Sequence, residues 1–199
     1  MAKSKDDSAG SVTGAMVAQP LERLTRLLRA GEHSQGLNPA QWEALRYLAR
    51  ANRFSNAPGA LTRYLGSTKG TISQTVKALV GKGLVSKVAR RGEKRSVALL
   101  LTGKGKEVLA LDPWARLTSS AEALGGKTRR RMARGLSEIL ASEIQLAGLP
   151  AFGTCAGCRF FREKGRDGDP RGPHYCMLFD EPIAIAETQL ICVGHEARG

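Results

Sequence analysis

Apolar residues recur at helical spacing along most of the first 147 positions of the chain. Between residues 15 and 30 they form one stripe, and Gly31 is expected to end that helix. Asn38 and Pro39 predict the cap and the first turn of a second helix. Four residues are expected on its buried face: Trp42, Leu45, Leu48 and Ala49. The pattern thus predicts two successive amphipathic helices.

Two further helices are predicted on either side of Gly66. Pro58 opens a short helix, and Ser67 or Thr68 caps a longer one that ends near Gly81. The longer helix has an apolar side formed by Ile72, Val76, Leu79 and Val80. Its opposite side is polar and basic, and consists of Gly70, Thr71, Gln74 and Lys77, with Ser73 on the flank. A short helix, a tight turn and a helix with a polar outer face are typical of a helix-turn-helix.

A basic hairpin is predicted directly after this unit. Residues 84–90 and 95–101 are rich in Val and Leu and predict two strands, joined by residues 91–94. A hairpin beside a recognition helix is a wing. Helical spacing then resumes at Gly103, and the last predicted helix covers residues 127–147.

The predicted fold class is mainly α with a small β-hairpin wing: a winged helix-turn-helix dimer followed by a small, loop-rich, cysteine-ligated C-terminal module. We divide the chain into a disordered tail (1–12), a DNA-binding and dimerisation domain (13–147), and a linker with the four-cysteine module (148–199). The first and last helices of the domain have more apolar surface than one winged helix can bury. The residues concerned are Leu24, Leu27, Leu28, Leu136, Leu140 and Ile144. We therefore expect these two helices to form a homodimer.

Positive charge is concentrated in the helix-turn-helix and the wing. The formal net charge is +13, and residues 53–106 contain twelve Lys or Arg but only one acid, Glu93. This concentration favours double-stranded DNA as the partner. The predicted DNA-contacting residues are Ser67, Thr68, Lys69, Gly70, Thr71, Ser73, Gln74, Lys77, Arg91, Lys94 and Arg95.

The sequence predicts a cytoplasmic protein. The N-terminal lysines are followed by acids rather than by an apolar run, so no secretory signal is indicated, and no apolar stretch is long enough to cross a membrane. No Gly-rich phosphate loop and no nucleophile constellation is found. We therefore expect a protein that is not an enzyme.

The four cysteines all lie in the last 45 residues of the chain. Cys155, Cys158, Cys176 and Cys192 have the spacing C-x2-C-x17-C-x15-C, which predicts one four-thiolate site. Zinc is one candidate, although the second cysteine pair of a zinc ribbon is missing. An iron-sulfur cluster is the other. His174 and His195 lie near cysteines but are expected to be bystanders.

Residues 15–147 resemble the MarR family of winged-helix transcription regulators. The resemblance rests on residues 59–85, G-A-L-T-R-Y-L-G-S-T-K-G-T-I-S-Q-T-V-K-A-L-V-G-K-G-L-V, and on R-S-V-A-L-L-L-T-G-K-G at residues 95–105. It implies an obligate dimer, a pseudo-palindromic operator, residues 68–81 in the major groove and the wing tip near the minor groove. Of the two Asp-x-Arg units usual in the family's wing, only Glu93-Lys94-Arg95 remains, in altered form. Many relatives bind small aromatic acids, so a small-molecule effector is also implied.

The cysteine segment resembles the cluster-binding half of high-potential iron-sulfur proteins. The matching elements are C-A-G-C-R-F-F at residues 155–161, C-M-L-F-D-E-P-I at residues 176–183, and a later single cysteine. The resemblance implies that all four cysteines bind a 4Fe-4S cluster. It also implies an apolar wall made of Phe160, Phe161, Leu178 and Phe179.

These observations predict a MarR-type transcription regulator whose cluster senses redox state, oxygen or iron-sulfur supply. Because the cysteine module follows the last dimerisation helix, ordering or melting it could change the spacing of the two recognition helices. Two alternatives are a regulator of a small organic ligand with a structural zinc tail, and an iron-sulfur redox protein or enzyme.

Overall fold

The computed structural model describes residues 12–90 and 97–198. The α-helices are α1 (Gly14–Ala30), α2 (Pro39–Arg50), α3 (Pro58–Tyr64), α4 (Lys69–Gly81), α5 (Gly103–Leu109), α6 (Ala115–Glu122) and α7 (Gly126–Leu146). The strands are β1 (Val85–Ala89), β2 (Val97–Leu101), β3 (Phe161–Arg162), β4 (His174–Cys176) and β5 (Glu181–Ile183). The mainly helical fold with a small antiparallel hairpin is confirmed. Within the described ranges, no helix combines the length and the apolar character needed to cross a membrane.

The helix boundaries follow the capping residues. Asn38 accepts a hydrogen bond from the backbone N–H of Gln41, whose side chain reaches back to Asn38, so a capping box with Pro39 begins α2. The wing pairs β1 with β2 in antiparallel register, with Val85 opposite Leu101. The predicted loop at residues 91–94 and the predicted tail up to residue 11 lie outside the described residues.

The main core lies between α2, α3, α4 and the base of the wing. Its fully buried large side chains include Trp42, Leu45, Tyr47, Leu61, Leu79 and Leu99. Two predicted core positions are wrong: Ala49 is exposed and Val80 is 37% exposed. Ala44 and Tyr47 are buried in α2, because this helix contacts α4 and β2 as well as α5. Thr75 is buried in α4, where its hydroxyl donates to the Thr71 carbonyl.

A buried charge network joins the segment after α1 to the rest of the body. The Arg46 guanidinium pairs with Glu32, and it also donates to Asp112 at 2.8 Å. The indole N–H of Trp114 donates to the same Glu32 carboxylate at 2.8 Å. Since Glu32 is only 1% exposed, these donors compensate one oxygen of its buried carboxylate, while its Oε2 has no hydrogen-bond partner among the described residues. The network therefore fixes the end of α1 against α2 and the α5–α6 connection.

The C-terminal segment folds onto the connection between α2 and α3. Strands β3, β4 and β5 form one small antiparallel sheet. Ile191 bridges to Ala51: its N–H donates to the Arg50 carbonyl at 2.6 Å, and its carbonyl accepts from Asn52 N–H at 3.0 Å. The segment thus contacts the helix-turn-helix body directly, besides being linked to it through α7.

Candidate nucleic-acid interface and four-cysteine site

The turn before α4 is set by one glycine and one cap. Gly66 has φ +58°, a left-handed conformation that favours glycine. Of the two predicted caps, Thr68 is the one that acts: its hydroxyl accepts from the backbone N–H of Thr71 at 3.1 Å. These two residues position α4 relative to α3.

The outer face of α4 is open to solvent. Its inner face is held in the core by Ile72, Val76 and Leu79. The predicted contact residues of the outer face are all exposed: Thr68, Lys69, Gly70, Thr71, Ser73, Gln74 and Lys77. Ser67, in the turn, is half-buried. A helix anchored on one side with polar and cationic groups on the other can enter a major groove and hydrogen-bond to base edges.

The wing is attached to the body at the outer end of β1, the end opposite Val85. The Arg90 guanidinium, directly after β1, donates to the Asn56 side-chain oxygen at 2.7 Å. The predicted wing-tip contacts Arg91, Lys94 and Arg95, and the expected pairing of Glu93 with Arg95, fall outside the described residues.

Lys82 and Arg53 of the positive segment also have partners within the chain, as Arg90 does. The Lys82 ammonium donates to the Gly36 carbonyl and, at 3.1 Å, to the Gln41 side chain. Arg53 faces the C-terminal segment, where it pairs with Glu187. These two cations therefore hold parts of the fold together, which their charge alone did not indicate.

The apolar stripes of α1 and α7 remain uncovered in a single chain. Leu27 is 58% and Leu140 is 60% exposed, whereas Leu28 is buried. The other large exposed apolar side chains of these helices are Met16, Val17, Leu21, Leu24, Met132, Leu136, Ile139 and Leu146. Exposed apolar stripes of this kind mark an interaction site.

A cavity of about 550 Å³ opens between α2, α3 and the α5–α6 region. Its lining includes Tyr64, Leu65, Leu109, Trp114 and Leu117, together with the charged side chains of Glu43, Arg46, Arg50 and Asp112. Arg46 is already paired with Glu32 and Asp112. The cavity therefore offers mainly aromatic and aliphatic surface to a ligand.

All four cysteines line one small pocket in the C-terminal segment. Cys155 and Cys158 belong to one turn, in which Cys158 N–H donates to the Cys155 carbonyl at 3.0 Å. Cys176 ends β4, opposite Phe161 of β3. Cys192 is held by its N–H donating to the Gly153 carbonyl at 2.9 Å. Among the described residues, which include all four cysteines, none of these thiols is in a disulfide.

The apolar wall of this pocket differs from the one that the resemblance implied. Of the four residues expected there, Phe161 lines the pocket, whereas Leu178 is 44% exposed and Phe179 stacks on Phe54. Phe160 lies beneath the Arg159 guanidinium. The remaining lining comes from Thr154, Ile183 and Gly194, and from Asn52 and Phe54 of the α2–α3 connection. No local signal near the cysteines could have identified Asn52 or Phe54, because they are about a hundred residues away in sequence.

The four thiols line one pocket, where burial perturbs Cys155. In residues 12–90 and 97–198, no group of three or more Cys, His, Asp or Glu side chains is arranged to hold a single metal ion. Burial, with a further contribution from the neighbouring thiols of Cys192, Cys158 and Cys176, raises the pKa of Cys155 to about 11. Four thiolates here would repel one another, and a bound cation would offset that repulsion. The donor set therefore fits a bound cationic centre.

The two histidines near the cysteines do not line the pocket. His174 accepts from Lys164 N–H at 3.2 Å and packs on Phe161. His195 packs over Gly153, where a Cβ atom would lie 2.6 Å from the imidazole, so this close approach requires glycine. Burial lowers the pKa of His195. Their expected role as bystanders stays a prediction.

The middle of the chain matches a known protein family. The MarR family model matches residues 35–96, which include α2, α3, α4 and the wing. MarR-family proteins are transcription regulators and not enzymes. No curated protein matches the chain.

Several solved structures share the fold. MepR from Staphylococcus aureus, a regulator of the multidrug efflux pump MepA, is 15% identical, with a TM-score of 0.50 over 66% of this chain and 98% of its own. A mutant MepR from a multidrug-resistant clinical isolate of the same organism is 16% identical, with a TM-score of 0.54 over 67% and 99%. NadR in complex with 4-hydroxyphenylacetate is 20% identical, with a TM-score of 0.51 over 68% and 97%. Residues 35–96 thus match the MarR family, and the body around them has the winged-helix fold of MarR-type structures.

Proposed function

We propose that the protein is a dimeric, sequence-specific DNA-binding transcription regulator of MarR type. The observation that carries this proposal is the geometry of α4: Ile72, Val76 and Leu79 anchor one face in the core, and Gln74 and Lys77 project from the other. The match to the MarR family covers this helix and supports the same function. The positive charge of residues 53–106 supplies the attraction to phosphates.

The uncovered apolar stripes support a homodimer through α1 and α7. A two-fold dimer places two copies of α4 on successive major grooves of a pseudo-palindromic operator. The predicted wing-tip residues Arg91, Lys94 and Arg95 would then contact the flanking DNA.

Substitutions on the outer face of α4 test the DNA interface. Gln74→Ala should remove a contact to a base edge and lower discrimination at one position by about 1 to 3 kcal/mol. Lys77→Ala should weaken binding to all sequences and reduce the salt dependence by about one released counterion. The measurement is fluorescence anisotropy at several salt concentrations, with a duplex selected by the parent protein from a random-sequence pool.

Lys127→Ala is the matched control for Lys77→Ala. It removes the same charge from an exposed position in the first turn of α7, away from the recognition helix. We expect it to change affinity by less than about twofold through general electrostatics alone. Binding by the Gln74 and Lys77 variants that equals the parent's at every salt concentration would refute the assignment of α4 to the groove.

We further propose that Cys155, Cys158, Cys176 and Cys192 hold one 4Fe-4S cluster that senses redox state, oxygen or iron-sulfur supply. Four free thiols around one apolar pocket support this assignment. A tetrahedral zinc site needs its sulfurs about 3.8 Å apart around one point, given a Zn–S bond of about 2.3 Å. Among the described residues, no group of three or more Cys, His, Asp or Glu side chains is arranged around one ion, which counts against a single zinc ion. Such a cluster would supply one-electron redox chemistry and sensitivity to oxygen.

A second candidate is a regulator of a small organic ligand, with a zinc ion in the cysteine site. The cavity lined by Tyr64, Leu109, Trp114 and Leu117 favours an aromatic ligand. NadR was solved with 4-hydroxyphenylacetate, an aromatic acid. Iron, zinc and acid-labile sulfide assays on protein purified without air distinguish the two candidates.

A further inference from the structure

We infer that residues 51–56, the connection between α2 and α3, transmit the state of the four-cysteine site to the wing. This inference depends on the proposed function in one respect: the four-cysteine site must hold a metal centre, whichever metal it contains. The order of the segments along the chain suggested a different mechanism, in which the cysteine module acts through α7 and changes the spacing of the two recognition helices. The route is built from contacts that join this connection to the pocket on one side and to both wing strands on the other.

The connection forms part of the cysteine pocket. Asn52 and Phe54 line it together with the four thiols. The Phe54 ring stacks on Phe179, with ring centroids 4.1 Å apart and an interplanar angle of 6°. Arg53 donates to the Pro182 carbonyl and pairs with Glu187. Any rearrangement of the pocket therefore acts on three consecutive residues of the connection.

Cys192 lies between two residues that are hydrogen-bonded to the connection. Its neighbour Ile191 forms the bridge to Ala51. On the other side, Val193 N–H donates to the Ser55 hydroxyl at 2.8 Å. Because both neighbours of Cys192 are attached in this way, holding Cys192 at a metal centre also holds the two ends of the connection.

The connection is internally rigid. The Asn52 side-chain oxygen accepts from the Ser55 hydroxyl at 2.7 Å and from Phe54 N–H at 3.1 Å. The Ser55 carbonyl accepts from the buried Tyr47 hydroxyl at 2.7 Å. Asn52, Ser55 and Asn56 are all buried, so a lost partner leaves a buried polar group unsatisfied. The connection therefore responds to a change at one end as a unit.

Asn56 attaches this unit to both strands of the wing. Its side-chain oxygen accepts from the Arg90 guanidinium, directly after β1, and its carbonyl accepts from Leu99 N–H of β2 at 2.6 Å. A short segment with few apolar contacts of its own needs its metal to stay folded. When the metal is removed, Ile191 and Val193 release the connection, Asn56 shifts, and the wing loses its attachment to residues 51–56.

Two substitutions would remove contacts between the connection and the C-terminal segment. Arg53→Gln removes the ion pairs to the C-terminal segment, and Ser55→Ala removes the acceptor for Val193 N–H. The test measures the ratio of DNA dissociation constants between chelator-treated protein and protein as purified without air, on a duplex selected by the parent. We expect the parent ratio to depart from one by at least about fivefold, and the variant ratios to fall below about twofold. Metal content should stay the same.

Arg63→Gln is the matched control for Arg53→Gln. It removes the same charge from an exposed position in α3, so it can shift both dissociation constants but should keep the parent ratio. If the Arg53 and Ser55 variants keep both the metal and the parent's ratio of dissociation constants, the proposed route is wrong. A parent ratio of one would refute the sensing function, and the inference with it.

Hydrogen exchange of the parent protein tests the route without any substitution. Chelation should speed exchange several-fold in peptides covering residues 51–56 and 97–101, and leave α1 unchanged. Unchanged exchange at residues 97–101, where Leu99 N–H binds Asn56, would overturn the inference even if metal removal alters DNA binding.

Discussion

Cys176→Ala is expected to abolish the metal centre while the body stays folded. The parent purified without air should be brown and contain about four iron and four sulfide per chain. Cys176 ends β4 and lines the pocket with the other three thiols, so alanine removes one of the four proposed ligands. The variant should be colourless or contain a degraded cluster, and its C-terminal segment should become sensitive to protease. Iron and sulfide assays, the visible spectrum and limited proteolysis measure these changes.

Met177→Ala is the matched control for this substitution. Met177 is adjacent to Cys176 but half exposed, and it does not line the pocket. The control should keep the parent's iron and sulfide content. Circular dichroism should show that residues 13–147 remain helical in both variants. Colourless parent protein with one zinc per chain would refute the cluster, and an intact cluster in Cys176→Ala would remove this residue from the ligand set.

Leu140→Asp is expected to convert the dimer into a monomer. The side chain is 60% exposed in a single chain and lies on the apolar stripe of α7, so it is available to a second subunit. Burying a carboxylate there would cost several kcal/mol without a partner for its charge. Because the two recognition helices would no longer be linked, operator affinity should fall by at least about 100-fold. Analytical ultracentrifugation and DNA titration measure the two effects.

The choice of apolar residue to replace determines whether the substitution disrupts only the dimer or also the fold of the monomer. Leu27, on the stripe of α1, is 58% exposed and suits a second substitution, Leu27→Asp. Leu28 is buried within the chain, so a charge there would unfold the monomer as well as break the dimer. Ile185→Asp is the control, since it places the same charge at an exposed apolar position of the C-terminal segment. A Leu140 variant that still sediments as a dimer, or a parent that sediments as a folded monomer, would contradict the interface.

The helix-turn-helix could be predicted from the sequence because its signals are local. Thr68 caps α4 through a residue three positions away, and Gly66 is the residue suited to the left-handed turn. The exposed face with Gln74 and Lys77 follows from helical periodicity once the opposite face is apolar. The errors at Ala49 and Val80 have a different origin. Periodicity gives the apolar side of a helix, but only the neighbouring elements decide how wide the buried side is.

The four-cysteine spacing predicted one site, whereas the surroundings of that site came from the tertiary structure. Phe161 belongs to the local sequence of the cysteines and lines the pocket as expected. Phe54 and Asn52 come from a different part of the chain, and Leu178 and Phe179, although close in sequence, do not line the pocket but lie behind Gly194. The spacing of the cysteines along the chain is enough to predict that they share one site. The residues that surround them depend on which distant segments pack against that site.

The sequence by itself determined the parts that depend on neighbours along the chain: the capped helices, the hairpin, the basic helix face and the cysteine spacing. The tertiary structure decided which cations stay exposed and which hold the fold together. Arg53 is the clearest case, since its partner Glu187 is 134 residues away. The same docking places Asn56 between the cysteine pocket and the wing. Long-range packing brings such groups together through surface complementarity, which no local periodicity or spacing encodes.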